Sequence, residues 1–184
     1  MTQANNPDMF LIPDPSALLT TLSDQTYIGA YVPHNLVLMS DIHRLKYAMY
    51  LNNDTYEALK KMIDAMPDEI ANDFYVKEAY TSFTDLQYSN PNFAGKDERQ
   101  LGHTVSIASK SIAYQEFETS ALSQWLEAHS YEYGFILRYP KRMASSTNHI
   151  YDAHYYRYVG KKNANKIYKE NSCIEEYNQK EAAE

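Results

Sequence analysis

The order of helical and strand-like segments in this 184-residue chain predicts an α+β domain: one core, a central antiparallel sheet and helices packed on one side of it. Three observations carry that expectation. Strand patterning recurs at 73–80, 105–110, 135–139 and 149–159. Helical periodicity appears from Asn53 and again from Thr119 or Ser120. Two short helical stretches, 163–169 and 174–180, close the chain.

In order along the chain, residues 1–25 read as an extended or flexible arm, because 1–16 are polar and carry Pro7, Pro13 and Pro15. The domain proper is expected at 26–180. Asn53-Asp54 opens a helix with Tyr56, Leu59, Met62, Ile63 and Met66 on one face and a Glu57–Lys61 pair on the other. Pro67 is its stop signal. Asp73 to Tyr80 alternates as a strand and leads into a turn over Thr81 to Gln87. Residues 88–102 read as a polar loop, after which Val105, Ile107 and Ser109 alternate with Ser106, Ala108 and Lys110. The helix ending at Tyr133 has a hydroxyl cap, places Leu122, Trp125, Leu126 and His129 inside, and stops at Gly134.

Composition narrows the function. A length of 184 residues suits one domain with a real core. A formal net charge of −7, with no basic stripe, argues against a nucleic-acid partner. No apolar run approaches the roughly 20 residues of a membrane span. The first residues lack the basic start and apolar middle of a signal peptide, so an exported form would be a mature domain with a start Met added. The single cysteine, Cys173, excludes an internal disulfide and is expected to be a packed small residue. The 18 tyrosines suit either sugar or protein contact or a tyrosine-rich sheet.

Three phrases are specific. Trp125-Leu-Glu-Ala-His-Ser-Tyr-Glu-Tyr-Gly-Phe-Ile-Leu-Arg-Tyr-Pro-Lys141, then Tyr151-Asp-Ala-His-Tyr-Tyr-Arg-Tyr-Val-Gly160, then Cys173-Ile-Glu-Glu-Tyr177 together resemble the C-terminal half of the VanY-type D,D- and L,D-carboxypeptidases. These are zinc enzymes that trim peptidoglycan stem peptides. The resemblance is similar in kind, though weaker, at Tyr31-Val-Pro-His-Asn-Leu-Val37, and covers about residues 26–177. It implies a Hedgehog/D,D-peptidase-like fold and a location in the cell envelope or outside the cell.

The same resemblance implies a zinc site, and here the letters depart from the family. A zinc peptidase needs three lone-pair ligands, an open position for water and a carboxylate base. The family phrase S-x-H-x-x-G-x-A-x-D, which supplies two ligands, is set here against Leu101 to Lys110, keeping His103 and Ala108. Lys110 then stands where an Asp ligand belongs, and an ammonium has no lone pair to give. In the phrase E-P-W-H, the base place holds Asp152 and the third-ligand place holds Tyr155. The substrate phrase Y-R-S-x-x-x-Q is set against Tyr80, Thr81, Ser82 and Gln87, with Thr81 in place of the carboxylate-gripping Arg.

The expectation is therefore a carboxypeptidase-like domain without catalysis and without zinc, binding a peptidoglycan peptide or an envelope protein. His103, Lys110, Asp152 and Tyr155 are expected to converge on the former metal pocket, with a buried Lys110–Asp152 pair in place of the ion. A Lys110 that is simply solvated at a strand end is the competing reading. Two alternatives stay open: an active carboxypeptidase with an atypical metal set of His103, Asp152 and His149 or His154, and a structural or assembly domain with a filled groove. His154, next to Tyr155 on a strand, is expected to face the other way. His34 and His43 have no metal-ligand spacing.

Overall fold

The computed structural model describes residues 10–23 and 25–183. It contains a four-stranded antiparallel sheet with helices against both faces, and a smaller set of paired strands at its N-terminal side. The small pairs are β1 (Phe10–Leu11) with β2 (Thr26–Tyr27), parallel, and β3 (Leu36–Leu38) with β4 (Tyr50–Asn52), antiparallel. The main sheet runs β5 (Phe74–Glu78), β6 (Thr104–Ser109), β8 (Asp152–Tyr158), β7 (Phe135–Tyr139). Its register sets Glu78 opposite Ser106 and Ser106 opposite Tyr155, so these three residues form one row across three strands.

Helix α1 (Asn53–Asp64) starts where the Asn52 side chain accepts a hydrogen bond from the Asp54 amide at 3.0 Å. Its apolar face buries Tyr56, Leu59 and Met62, as the periodicity requires. The surface pair is Glu57–Lys60 rather than Glu57–Lys61. Pro67 ends the first helical run and then caps α2 (Asp68–Asp73). The expected turn after Tyr80 is helical, α3 (Phe83–Ser89), because Ser82 caps it. The polar loop at 88–102 contains single 3-10 turns at Pro91–Phe93 and Glu98–Leu101.

Ser120 caps α4 (Ala121–His129) by accepting from the Ser123 amide, and a 3-10 turn, Ser130–Tyr133, leads to Gly134. Gly134 has φ +92°, and a Cβ there would lie 2.7 Å from the Tyr158 ring and 3.1 Å from the Gly160 backbone. No side chain fits that junction. Leu122 and Leu126 are buried as expected, but His129 is half-exposed and paired with Glu132. Short α5 (Ala144–Thr147) precedes β8, and α6 (Lys161–Lys169) and α7 (Ile174–Glu181) follow it. Cys173 is buried, with a free thiol.

The helices are not confined to one side. Phe135 and Tyr156 face a core shared with α1 and α4, while Ile136, on the other face of β7, packs with Ile167, Ile174 and Tyr177 from α6 and α7. The described part of the expected flexible arm is also tied down. Leu19 packs against that second cluster, and the carbonyls of Leu18 and Thr20 accept hydrogen bonds from Arg157 at 3.0 and 3.2 Å. Its apolar residue and its backbone acceptors both find partners on the domain. Residues 1–9 lie outside the described chain.

Candidate functional site

The cavity that faces the third-ligand place is formed between the loop at 90–99 and the β7–β8 connection, with a volume of about 570 Å³. Asp97, Arg99, Tyr139, His149, Asp152 and Tyr155 are among its lining residues. Two neighbouring residues of one 3-10 turn organise everything around it. The Asp97 side chain accepts from the Arg99 amide at 2.9 Å and starts the turn. Glu98 then points inward and Arg99 toward the cavity.

Glu98 is buried among two arginines. Its carboxylate accepts from Arg138 Nε and Nη2 at 2.8 and 2.7 Å and from Arg157 Nη1 at 3.1 Å. Arg138 also forks onto Glu175, at 3.1 and 2.5 Å. Burial alone would raise the Glu98 pKa, but the attraction of Arg138 and Arg157 outweighs it and holds the carboxyl below its ordinary range. Each of the three family-like phrases contributes here: Arg138 from Phe-Ile-Leu-Arg, Arg157 from Arg-Tyr-Val-Gly, and Glu175 from Ile-Glu-Glu-Tyr. Those phrases therefore encode a buried ion network.

Arg99 is a cation of the cavity wall, which Lys96 also lines. Its Nε donates to Asp97 Oδ1 at 3.0 Å and its Nη2 to Asp97 Oδ2 at 2.5 Å, while Nη1 donates to Glu78 Oε2 at 2.7 Å. The Tyr155 hydroxyl donates to that same Glu78 oxygen at 2.6 Å. Burial foremost, helped by the Glu78 carboxylate and opposed by Arg99, raises the Tyr155 pKa far above its usual value. The phenol is held as a donor. Ser106, in the same cross-strand row, is buried. On the cavity's far wall Tyr139 stacks on His149 with ring centroids 3.9 Å apart.

The expected convergence of His103, Lys110, Asp152 and Tyr155 is corrected by this geometry. Asp152 and Tyr155 line the cavity, but Lys110 does not. It is exposed just beyond the end of β6, where its Nζ donates to the Asn72 carbonyl at 2.6 Å. The ammonium is turned to the β5 side of the sheet, toward Asn72, and among the described residues no Lys110–Asp152 ion pair forms. His103 turns toward α1, with Nδ1 2.8 Å from Thr55 Oγ1, and burial with the nearby Arg157 charge lowers its pKa to about 3. It is a neutral core histidine.

The alternative histidine set is not assembled either. His149 Nδ1 lies 2.7 Å from the Ile150 carbonyl. His154 faces away from Tyr155, as its strand position requires, stacked between Tyr114 and Phe117 at 3.6 and 4.3 Å. Among the described residues no group of three or more His, Cys, Asp or Glu side chains is arranged to hold a metal ion. The zinc that the fold family implies needs lone-pair donors; beside Asp152 stand the Arg99 guanidinium, the Ser106 hydroxyl and the protonated Tyr155 phenol, and the Asp97 and Glu78 carboxylates are taken up by Arg99, so the set does not fit it.

The expected substrate residues Tyr80, Thr81, Ser82 and Gln87 are absent from the cavity lining. Ser82 Oγ is occupied by Asp85, to which it donates at 2.7 Å while accepting from its amide, and Thr81 Oγ1 donates to the Ala79 carbonyl. Gln87 is exposed on α3. The residues that sequence reasoning passed over are Glu78, Asp97, Arg99 and Tyr139. A signal for Arg99 existed in Gly102, which has φ +76° and is the only glycine between Gly95 and Gly134. Setting Gly102 at the glycine of S-x-H-x-x-G-x-A-x-D moves the two ligand places onto Arg99 and Ser106.

Comparison with known proteins agrees with the three phrases. Residues 86–161 match the family profile described as VanY, D-alanyl-D-alanine carboxypeptidase. A Bacillus subtilis (strain 168) protein provisionally named carboxypeptidase YodJ is 28% identical over 191 residues, covering 92% of this chain and 70% of the relative. A D-alanyl-D-alanine carboxypeptidase of Enterococcus faecalis is 34% identical over 124 residues, covering 66% of this chain and 44% of the relative. The chain thus spans under half the length of that enterococcal protein. In fold it is similar to the LdcB LD-carboxypeptidase, whose structure is described as revealing the basis of peptidoglycan recognition. That match has a TM-score of 0.84 at 25% identity, over 97% of this chain and 92% of the other. In sequence and in fold the chain is thus similar to the VanY-type carboxypeptidases.

Proposed function

We propose that this domain is a carboxypeptidase-like binding module of the cell envelope that holds a peptidoglycan stem peptide in the cavity beside Tyr155 without hydrolysing it. The carrying observation is the Arg99 guanidinium tied to Asp97 and Glu78 next to the third-ligand place. In the register set by Gly102, the three ligand places hold Arg99, Ser106 and Tyr155, and none is a competent zinc donor at neutral pH. Asp152, in the base place, would then have no metal-bound water to deprotonate.

Peptide binding is supported by the family match and by the peptidoglycan recognition described for the LdcB relative. The cavity offers what a short peptide needs: aromatic faces from Tyr139, His149 and Phe93, and polar ends from Asp152 and Arg99. No described helix is long and apolar enough to cross a membrane.

Calorimetric titration with a pentapeptide stem, paired with an assay for released D-Ala with and without added zinc, tests the proposal. Saturable binding with no release is expected. Release of D-Ala would overturn it in favour of an active carboxypeptidase, and absence of binding at millimolar ligand would favour a structural domain.

A further inference from the structure

Carboxylates gathered in a partly enclosed pocket repel one another, and leaving them uncompensated is costly. Glu78 and Asp97 come from different elements, a sheet strand and the 97–101 turn, yet both reach the same guanidinium. The Arg99 side chain is 21% exposed, and three of its five donors are bonded to these two groups. Glu78 passes the tie on to Tyr155, so turn, β5 and β8 are joined through one positive centre. Ser106 lies between Glu78 and Tyr155 in the cross-strand row.

We infer, resting on the reading above that the ligand places have been lost, that Arg99 is a tethered cation standing in for a divalent ion, fastening the 97–101 turn to the sheet so that the pocket forms without metal. A guanidinium suits the role because it is always charged and its flat fork meets two carboxylates from two directions at once. A lysine ammonium is a single point charge and cannot hold both partners in the same geometry.

The test is thermal unfolding of the full chain with and without EDTA and with added zinc, alongside metal content by mass spectrometry. Wild type is expected to carry no stoichiometric metal and to keep its Tm within about 1 °C under all three conditions. Arg99→Gln is expected to lower Tm by about 4 °C or more, because two carboxylates lose their partner. Arg99→Lys should recover less than half of that loss. Adding Glu78→Gln to Arg99→Gln should recover part of it, since the orphaned charge is removed. A wild-type Tm that falls on chelation, or an Arg99→Gln chain as stable as wild type, overturns the inference.

Should Arg99→Gln yield no folded protein, Glu78→Gln alone answers the question. It is expected to lower Tm measurably with EDTA still without effect, and a Tm equal to wild type counts against the tie. The functional reading fails separately. Absent peptide binding, with a metal-indifferent Tm that depends on Arg99, would sink the binding module and leave the tethered cation standing.

Discussion

Glu98 and Arg99 are adjacent in the chain and serve two different regions. Glu98 enters a network with Arg138, Arg157 and Glu175 in which Arg138 and Arg157 are 1% and 0% exposed. Arg99 joins Asp97 and Glu78 at the wall of a cavity. In the first region two guanidiniums and two carboxylates are enclosed, and Glu98, Arg138 and Arg157 are each held by more than one partner. In the second, charges also pair, but one side opens to a space of about 570 Å³. The difference teaches why the scaffold phrases resemble active carboxypeptidases while the ligand letters do not. A buried ion network cannot lose one member without stranding another, whereas a pocket wall tolerates exchange as long as its charges still balance.

Breaking the network should have the largest effect. Arg138→Ala leaves both Glu98 and Glu175 without their forked partner inside the protein. It is expected to destabilise the domain by about 3–5 kcal/mol, read from urea unfolding. A loss below about 1 kcal/mol would mean that the network is no more binding than a surface pair.

Acid sharpens the same comparison. His103, on the network side, is held neutral with a folded pKa of about 3 against an ordinary value of 6.5. The unfolded chain takes up the proton first, so the stability due to the neutral ring is fully present above pH 6.5. It is lost at up to roughly 1.4 kcal/mol per pH unit as the pH falls toward the folded value. Glu98, whose carboxyl is also depressed, adds a loss in the same direction below the ordinary carboxylate range. Unfolding midpoints of wild type and His103→Asn between pH 7 and pH 5 separate the two groups. The variant should show a flatter profile there, and identical slopes would show that His103 does not carry the effect.

Lys110→Ala should give the smallest change. Its ammonium is exposed and holds only the Asn72 carbonyl, so the loss should stay within about 0.5 kcal/mol. A loss of several kcal/mol would restore Lys110 to the pocket and displace Arg99 from its role.

Much of the architecture was legible from local chemistry. Asn53-Asp54, Ser120 and Gly134 mark helix ends because capping and left-handed backbone are decided within a few residues, although the first cap itself falls one residue earlier, on Asn52. The strand runs were legible because alternation reports burial on one face. His154 was placed correctly for the same reason. Lys110 was misplaced because a ten-residue phrase with few matching letters can be set in more than one register. The phrase was anchored on a histidine, although the glycine at position 102 is the residue whose backbone the turn demands.

By itself the sequence determined the kinds of element, their order and the family they resemble, since those follow from spacing, caps and long phrases. Tertiary structure decided which charges meet. Glu78 and Arg99 are 21 residues apart and Glu78 and Tyr155 are 77 apart, separations that no local pattern records. Only the pairing of β5, β6 and β8 puts Glu78, Ser106 and Tyr155 in one row and brings a turn arginine over it. Electrostatic partners are set by distance in space, and strand register is what converts the chain's linear order into that distance.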